Sequence, residues 1–183
     1  MHAGPRATTP TEQSPEGIEA GTASQGMRVL VGGVGYRFLR DNALGVYISD
    51  SFAGRATNGG EVEDLGYHPI GFTQNLQDRP TYDRIILVAA IVRGREPGTV
   101  KAYRWNHELP DVEEIQDRVS ESVTGVISLD NLLIVTEAFG AFPEDVWVVE
   151  VEPADESWGE GFSPEVQAKL PEIEETVWNL TKP

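Results

Sequence analysis

The stretch "VLVGGVGYRFLRDNALG", Val29 to Gly45, holds the spacing in this chain best suited to chemistry. An apolar run ends in glycines and passes into a helix start, a turn that often carries a phosphate or a metal. Gly33 and Gly35 match the first two glycines of the dinucleotide fingerprint. The third position is Phe38, too bulky for the helix–strand contact that glycine allows there, and no clear ribose-binding acid ends the second strand. A plain glycine turn is the ordinary explanation of that spacing. Nucleophilic triads fare worse. The histidines are His2, His68 and His107, and none pairs with a serine in a recognisable nucleophile turn. The chain has no cysteine, which removes thiol nucleophiles, zinc fingers, iron–sulfur ligation and disulfides.

The elements that would position these residues follow from the apolar pattern. Residues 1–26 are rich in Gly, Pro, Ser, Thr and Ala and offer little surface to bury, so they read as a disordered tail, with Met27 as an alternative start. Residues 27–183 read as one domain. "MRVLVGGVG" suits a buried parallel strand. In "DNALGVYISDSF", Leu44, Tyr47, Ile48 and Phe52 fall at helical spacing behind Asp41, a candidate cap. Glu61–Leu65 predicts a second strand, "GYHPIG" a turn and "FTQNL" a short helical piece. "YDRIILVAAIV" is apolar on both faces and predicts the central strand. Val100–Trp105 and "DVWVVEVEP" predict two more strands. Asp111–Val119 fits helix and loop equally, and Asn131–Phe139 predicts a helix. Ser163 caps a further helix with Pro164 at its first position, and Pro171 kinks it or divides it in two. Strands alternating with helices predict an α/β sandwich, with helices on both sides of a mostly parallel sheet. Ligands gather at the carboxyl ends of such strands. That places the turn at 32–42, the segment after Val88 and the loops near 66–71 and 120–130 around one rim.

The formal net charge is −16, with no basic patch, which argues against nucleic acid and anionic membranes as partners. Solubility accounts for that acidity, and a basic partner surface is the alternative. No apolar run approaches the roughly 20 residues needed to cross a bilayer, and the N-terminus lacks a secretion signal. A cytoplasmic protein is expected.

Four stretches together resemble one family. "RVLVGGVGYRFLRDNALGV" is similar to the opening motif G-x-G-N-x-L-x-x-D-[DE]-x-x-G-V of the hydrogenase maturation proteases. "YDRIILVAAIVRGREPGTV" resembles their central strand and P-G-T turn, and "LLIVTEAFGAFPEDVWVVEVEP" their helix, F/L-P turn and last strand. "GFSPEVQAKLPEIEETV" resembles their final helix, internal proline included. The resemblance runs from Met27 to about Trp178. It implies an α/β fold, a three-layer α/β/α sandwich around a mixed, mostly parallel sheet, in line with the α/β sandwich read from the pattern. It also implies a nickel-dependent endopeptidase that trims the C-terminus of a [NiFe] hydrogenase large subunit after nickel insertion.

The metal ligands that the resemblance implies are a Glu, an Asp and a His, and this chain departs from all three. They fall on Asn42, on Ala89 and, counting back from Phe142-Pro143, on Gly125. The asparagine of G-x-G-N is Tyr36, and the family's D-G-G-x-x-G loop is here "GYHPIG". The expectation is a catalytically inactive relative without a resident metal, binding a hydrogenase large subunit or another maturation factor. Its contact surface would be Tyr36, Arg37, Phe38, Arg40, Asp41, Tyr67 and His68. The alternative is an active endopeptidase whose nickel is supplied by the substrate.

Overall fold

Five strands carry the domain: β1 (Val29–Val34), β2 (Glu61–Asp64), β3 (Arg84–Ala90), β4 (Val100–Arg104) and β5 (Val146–Val151). Their order is β2-β1-β3-β5-β4, so β3 is central. β1 pairs in parallel with β2 and β3, β3 in parallel with β5, and β4 runs antiparallel to β5. The sheet is mostly parallel, as the pattern of elements predicts, and mixed, as the family resemblance implies. The structure is a computed structural model and describes residues 26–55, 60–66, 69–124 and 128–183. The tail reading therefore lies almost wholly outside the described residues, as do Tyr67, His68 and Gly125.

The unbroken apolar run of β3 is explained by burial on both faces. Ile85, Leu87 and Ala89 enter one core with Phe72, Leu76, Leu129, Leu132 and Leu133. Ile86, Val88 and Ala90 enter the other with Leu44, Ile48, Phe52, Val166, Ile173 and Val177. Helices α2 (Pro69–Asp78) and α4 (Leu129–Ala138) thus cover one face, and α1 (Leu44–Phe52), α5 (Pro164–Gln167) and α6 (Leu170–Leu180) the other. Helix α3 (Val112–Val123) packs on α4.

Local chemistry sets the ends of these helices. Ser128 accepts from the Asn131 amide and caps α4, and Asp111 accepts from Glu114 and caps α3. Ser163 caps α5 with Pro164 in its first turn, and Pro171 in the first turn of α6 makes two helices of the last segment. The α2 segment is longer than "FTQNL" predicts. It begins at Pro69, whose missing N–H is harmless at a helix start. Asp111–Val119, open on sequence, is helical. It carries little apolar surface, and Ser122 is the one buried residue of α3. α1 starts at Leu44, with Ala43 at its cap position and no side chain capping it. Asp41 therefore does not cap α1.

An ion-pair cluster at the β2 edge predicts acid sensitivity. Glu61 accepts from Tyr82 Oη at 2.6 Å and pairs with Arg28 at 2.9 Å. These contacts, the Tyr82 hydrogen bond foremost, hold its carboxyl below its ordinary value of 4.5. A depressed folded value means the unfolded chain binds the proton first. The contribution is therefore complete above about pH 4.5 and is lost as pH falls through the folded value. Tyr82→Phe is expected to flatten this part of the acid-unfolding profile, read by circular dichroism between about pH 5 and pH 2.

Candidate functional site

The glycine turn lets α1 lie hard against β1. A Cβ on Gly33 would stand 1.9 Å from the Gly45 carbonyl oxygen, and one on Gly45 would stand 2.2 Å from the Val34 nitrogen. The sequence places this turn at the rim formed by the strand ends, and the structure agrees. The rim encloses a cavity of about 210 Å³ lined by Gly35, Tyr36, Asn42, Ala89, Ser128 and Glu156, among others.

Asn42 and Ala89 meet in that cavity. Asn42 Oδ1 accepts from the Tyr36 amide at 2.9 Å, and its Nδ2 donates to Glu156 Oε1 at 3.0 Å. Ala89 is buried and presents a methyl. Among the described residues, no group of three or more His, Cys, Asp or Glu side chains is placed to hold a metal ion. The P-G-T turn is anchored nearby. Arg93 grips the Asp130 carboxylate with both terminal nitrogens, at 2.9 and 2.7 Å, at the start of α4. The buried Glu150 pairs with Arg95 at 2.6 Å and Arg93 at 3.5 Å, and buried Glu152 accepts the Arg93 and Gly94 amides.

Asp41, grouped with the contact residues on sequence, is 0% exposed. Its Oδ2 accepts the amides of Ala154 and Asp155 at 2.8 and 2.9 Å, and its Oδ1 accepts that of Ser163 at 2.7 Å. The carboxylate thus fastens the loop after β5 to the glycine turn. It is a structural tie, and burial removes it from any contact surface. Arg40 extends the seam. Its φ of 38° is a left-handed conformation, rare outside glycine. Its amide donates to the Gly159 carbonyl at 3.2 Å and its Nε lies 3.2 Å from Asp155. The Gly159 amide donates back to Phe38 O at 2.9 Å, closing a short parallel bridge at Leu39.

Tyr36, Arg37 and Phe38 are at the rim and border an open cleft of about 420 Å³ with Asp64 and Trp158. Arg37 pairs with Asp50 at 2.7 Å and, through that hydrogen bond, holds the Asp50 carboxyl below its usual range. Phe38 lies against Trp158, ring centroids 5.7 Å apart. His107 is elsewhere, bonded to Glu137 and the Glu144 carbonyl where β4 leaves the sheet, away from the rim.

Sequence reasoning missed Glu156, Trp158 and Ser128. A signal existed for the first two. β5 is a parallel neighbour of β3, so its carboxyl end opens onto the same rim.

Comparison with known proteins agrees with this geometry. The family model described as "Hydrogenase maturation protease" matches residues 46–180. The hydrogenase 2 maturation protease of Escherichia coli (strain K12) is 31% identical, with 82% of this chain and 89% of that protein covered. The hydrogenase expression/formation protein HupD of Rhizobium leguminosarum bv. viciae is 28% identical, covering 82% and 72%. Among solved structures, the hydrogenase maturating endopeptidase HybD from E. coli superposes with a TM-score of 0.60 at 28% identity, covering 84% of this chain and 91% of that one. A hydrogenase 2 maturation peptidase from Thaumarchaeota archaeon SCGC_AB-539-E09, 20% identical with a TM-score of 0.59 over 84% and 97%, shares the fold. With a family model matched over residues 46–180, a relative 31% identical over most of both chains and the same overall fold, this chain belongs to the hydrogenase maturation protease family.

Proposed function

We propose that this chain works in hydrogenase assembly as a cytoplasmic binding protein that does not cut its partner, a [NiFe] hydrogenase large subunit or another maturation factor. The observation that carries the proposal is the state of Asn42. A divalent nickel ion is held by imidazole nitrogens and anionic oxygens in a shared geometry. Asn42 offers one neutral oxygen, which already accepts the Tyr36 amide. Ala89 offers a methyl, and Gly125 has no side chain. Both oxygens of Asp41 are committed to backbone amides. Glu156 brings a carboxylate to the cavity, bonded to Asn42. One carboxylate and one occupied amide do not fit a nickel ion. The frame around the site is nonetheless intact, with its caps, turns and parallel register in place. A frame kept without its donors suits recognition.

The test uses the large-subunit precursor loaded with nickel. Mixed with this chain, the precursor is expected to co-elute with it in size-exclusion chromatography and to keep its full mass by mass spectrometry. Loss of a C-terminal fragment would contradict the proposal.

A further inference from the structure

We propose that the cleft between the Tyr36–Leu39 turn and the Glu156–Glu160 loop docks an extended basic segment of a partner protein. An apolar side chain would lie against Trp158 and Phe38, and a cationic one beside Glu156. The inference rests on the binding role proposed above and names the chemistry of the partner.

The first observation is an exposed aromatic pair on a fixed support. Trp158 is 77% exposed and Phe38 45%, with their rings in contact. Tryptophan at a surface is the residue type most often found at the energetic centre of interfaces. The loop that carries Trp158 is not free to tuck it away. Asp41 holds three of the loop's amides, and the bridge at Leu39 holds Gly159. The fold therefore presents the indole to solvent beside a cleft of about 420 Å³.

The second observation is charge, and it selects the occupant. The cations of this rim are neutralised in place, Arg37 by Asp50 and Arg40 by Asp155. Asp64, Glu156 and Glu160 form no ion pair among the described residues. Asp64 lines the cleft itself, and Glu156, bonded only to the neutral Asn42 amide, places a second uncompensated charge in the adjoining cavity, which shares Tyr36 with the cleft. With a formal net charge of −16 behind it, the cleft repels phosphates and anionic lipid and attracts a basic chain. An apolar platform edged by uncompensated carboxylates fits a peptide in which basic and aliphatic residues alternate, since successive side chains of an extended strand point to opposite sides.

The experiment has two arms. In the first, fluorescence anisotropy follows a short dye-labelled peptide of alternating lysine and leucine, and the same peptide with glutamine or with glutamate in place of lysine. The lysine peptide is expected to bind at least about tenfold tighter than the glutamine peptide, and the glutamate peptide weakest. Trp158→Ala is expected to weaken the lysine peptide about tenfold. Glu156→Gln, which keeps an acceptor for Asn42, is expected to weaken it about threefold and to lower the salt dependence. Circular dichroism confirms that both variants are folded. Equal affinity for the three peptides, no binding by any, or a folded Trp158→Ala that binds like wild type would each overturn the proposal. In the second arm, the large-subunit precursor is titrated with wild type and both variants. Weakened precursor binding in the variants supports the cleft. Unchanged binding overturns it and leaves the binding role standing. Tight peptide binding with no precursor binding keeps the cleft and removes the hydrogenase role.

Discussion

Asp41→Ala is expected to destabilise the domain by about 3–5 kcal/mol, the cost of removing a buried charged acceptor from three backbone amides. The carboxylate is 0% exposed and accepts three backbone amides from Ala154, Asp155 and Ser163. Hydrogen bonds to an ionised group contribute roughly 1.5–3 kcal/mol each, and orphaned amides lose that together with their solvation. At roughly 2–4 °C per kcal/mol for a chain of this size, the melting temperature should fall by about 6–20 °C. Asp41→Asn should fall between, because one oxygen is replaced by a donor that faces amide donors. Urea denaturation gives the free energies. Hydrogen exchange gives the place, since the amides of Ala154, Asp155 and Ser163 should lose protection first. A loss below about 1 kcal/mol for Asp41→Ala would mean that the loop after β5 is held by something else.

Gly45→Ala is expected to be about as damaging, for a different reason. Its Cβ would stand 2.2 Å from the Val34 nitrogen and 2.4 Å from the Val34 oxygen. Those are backbone atoms of a central β1, unable to rotate away as a flexible side chain could. Relief requires α1 to lift from the sheet, which opens the core around Leu44, Ile48 and Phe52. Overpacking usually costs about 1–3 kcal/mol, and a clash with strand backbone should reach the upper end or exceed it. Gly33→Ala should behave alike, with the Gly45 carbonyl oxygen 1.9 Å from the new carbon. Gly54→Ala is the control. Nothing lies within 4 Å of its added carbon, so its effect should stay within about 0.5 kcal/mol. Equal midpoints for Gly45→Ala and Gly54→Ala in urea would refute this account of the turn.

These two predictions show where local pattern stops informing. β3 could be placed at the centre of the sheet from its run of apolar residues, because burial on both faces leaves that mark. Ser163-Pro164 announced a helix start and Pro171 a kink or a break in it, through constraints that act within a few residues, and the break is what forms. The rim followed from topology, since the strands beside the glycine turn had to end together. Asp41 was misread as the cap of α1 because an aspartate before an apolar helix is a common local signal. Its real partners lie 113 to 122 residues away, a distance at which sequence carries no pattern. Glu156 reaches Asn42 across 114 residues for the same reason. Helix α3 stayed ambiguous because a helix that packs on another helix, outside the sheet, needs little apolar surface. The replaced ligand positions needed no fold to be noticed, since the family motif alone marks Asn42 and Ala89. What the structure adds is that Asn42 is already engaged on both its amide atoms.

The most direct measurement is a calorimetric titration of the purified full chain with nickel. The account predicts no stoichiometric uptake at micromolar affinity or better. One ion bound per chain in that range would contradict it, and would favour the active endopeptidase that the resemblance implies.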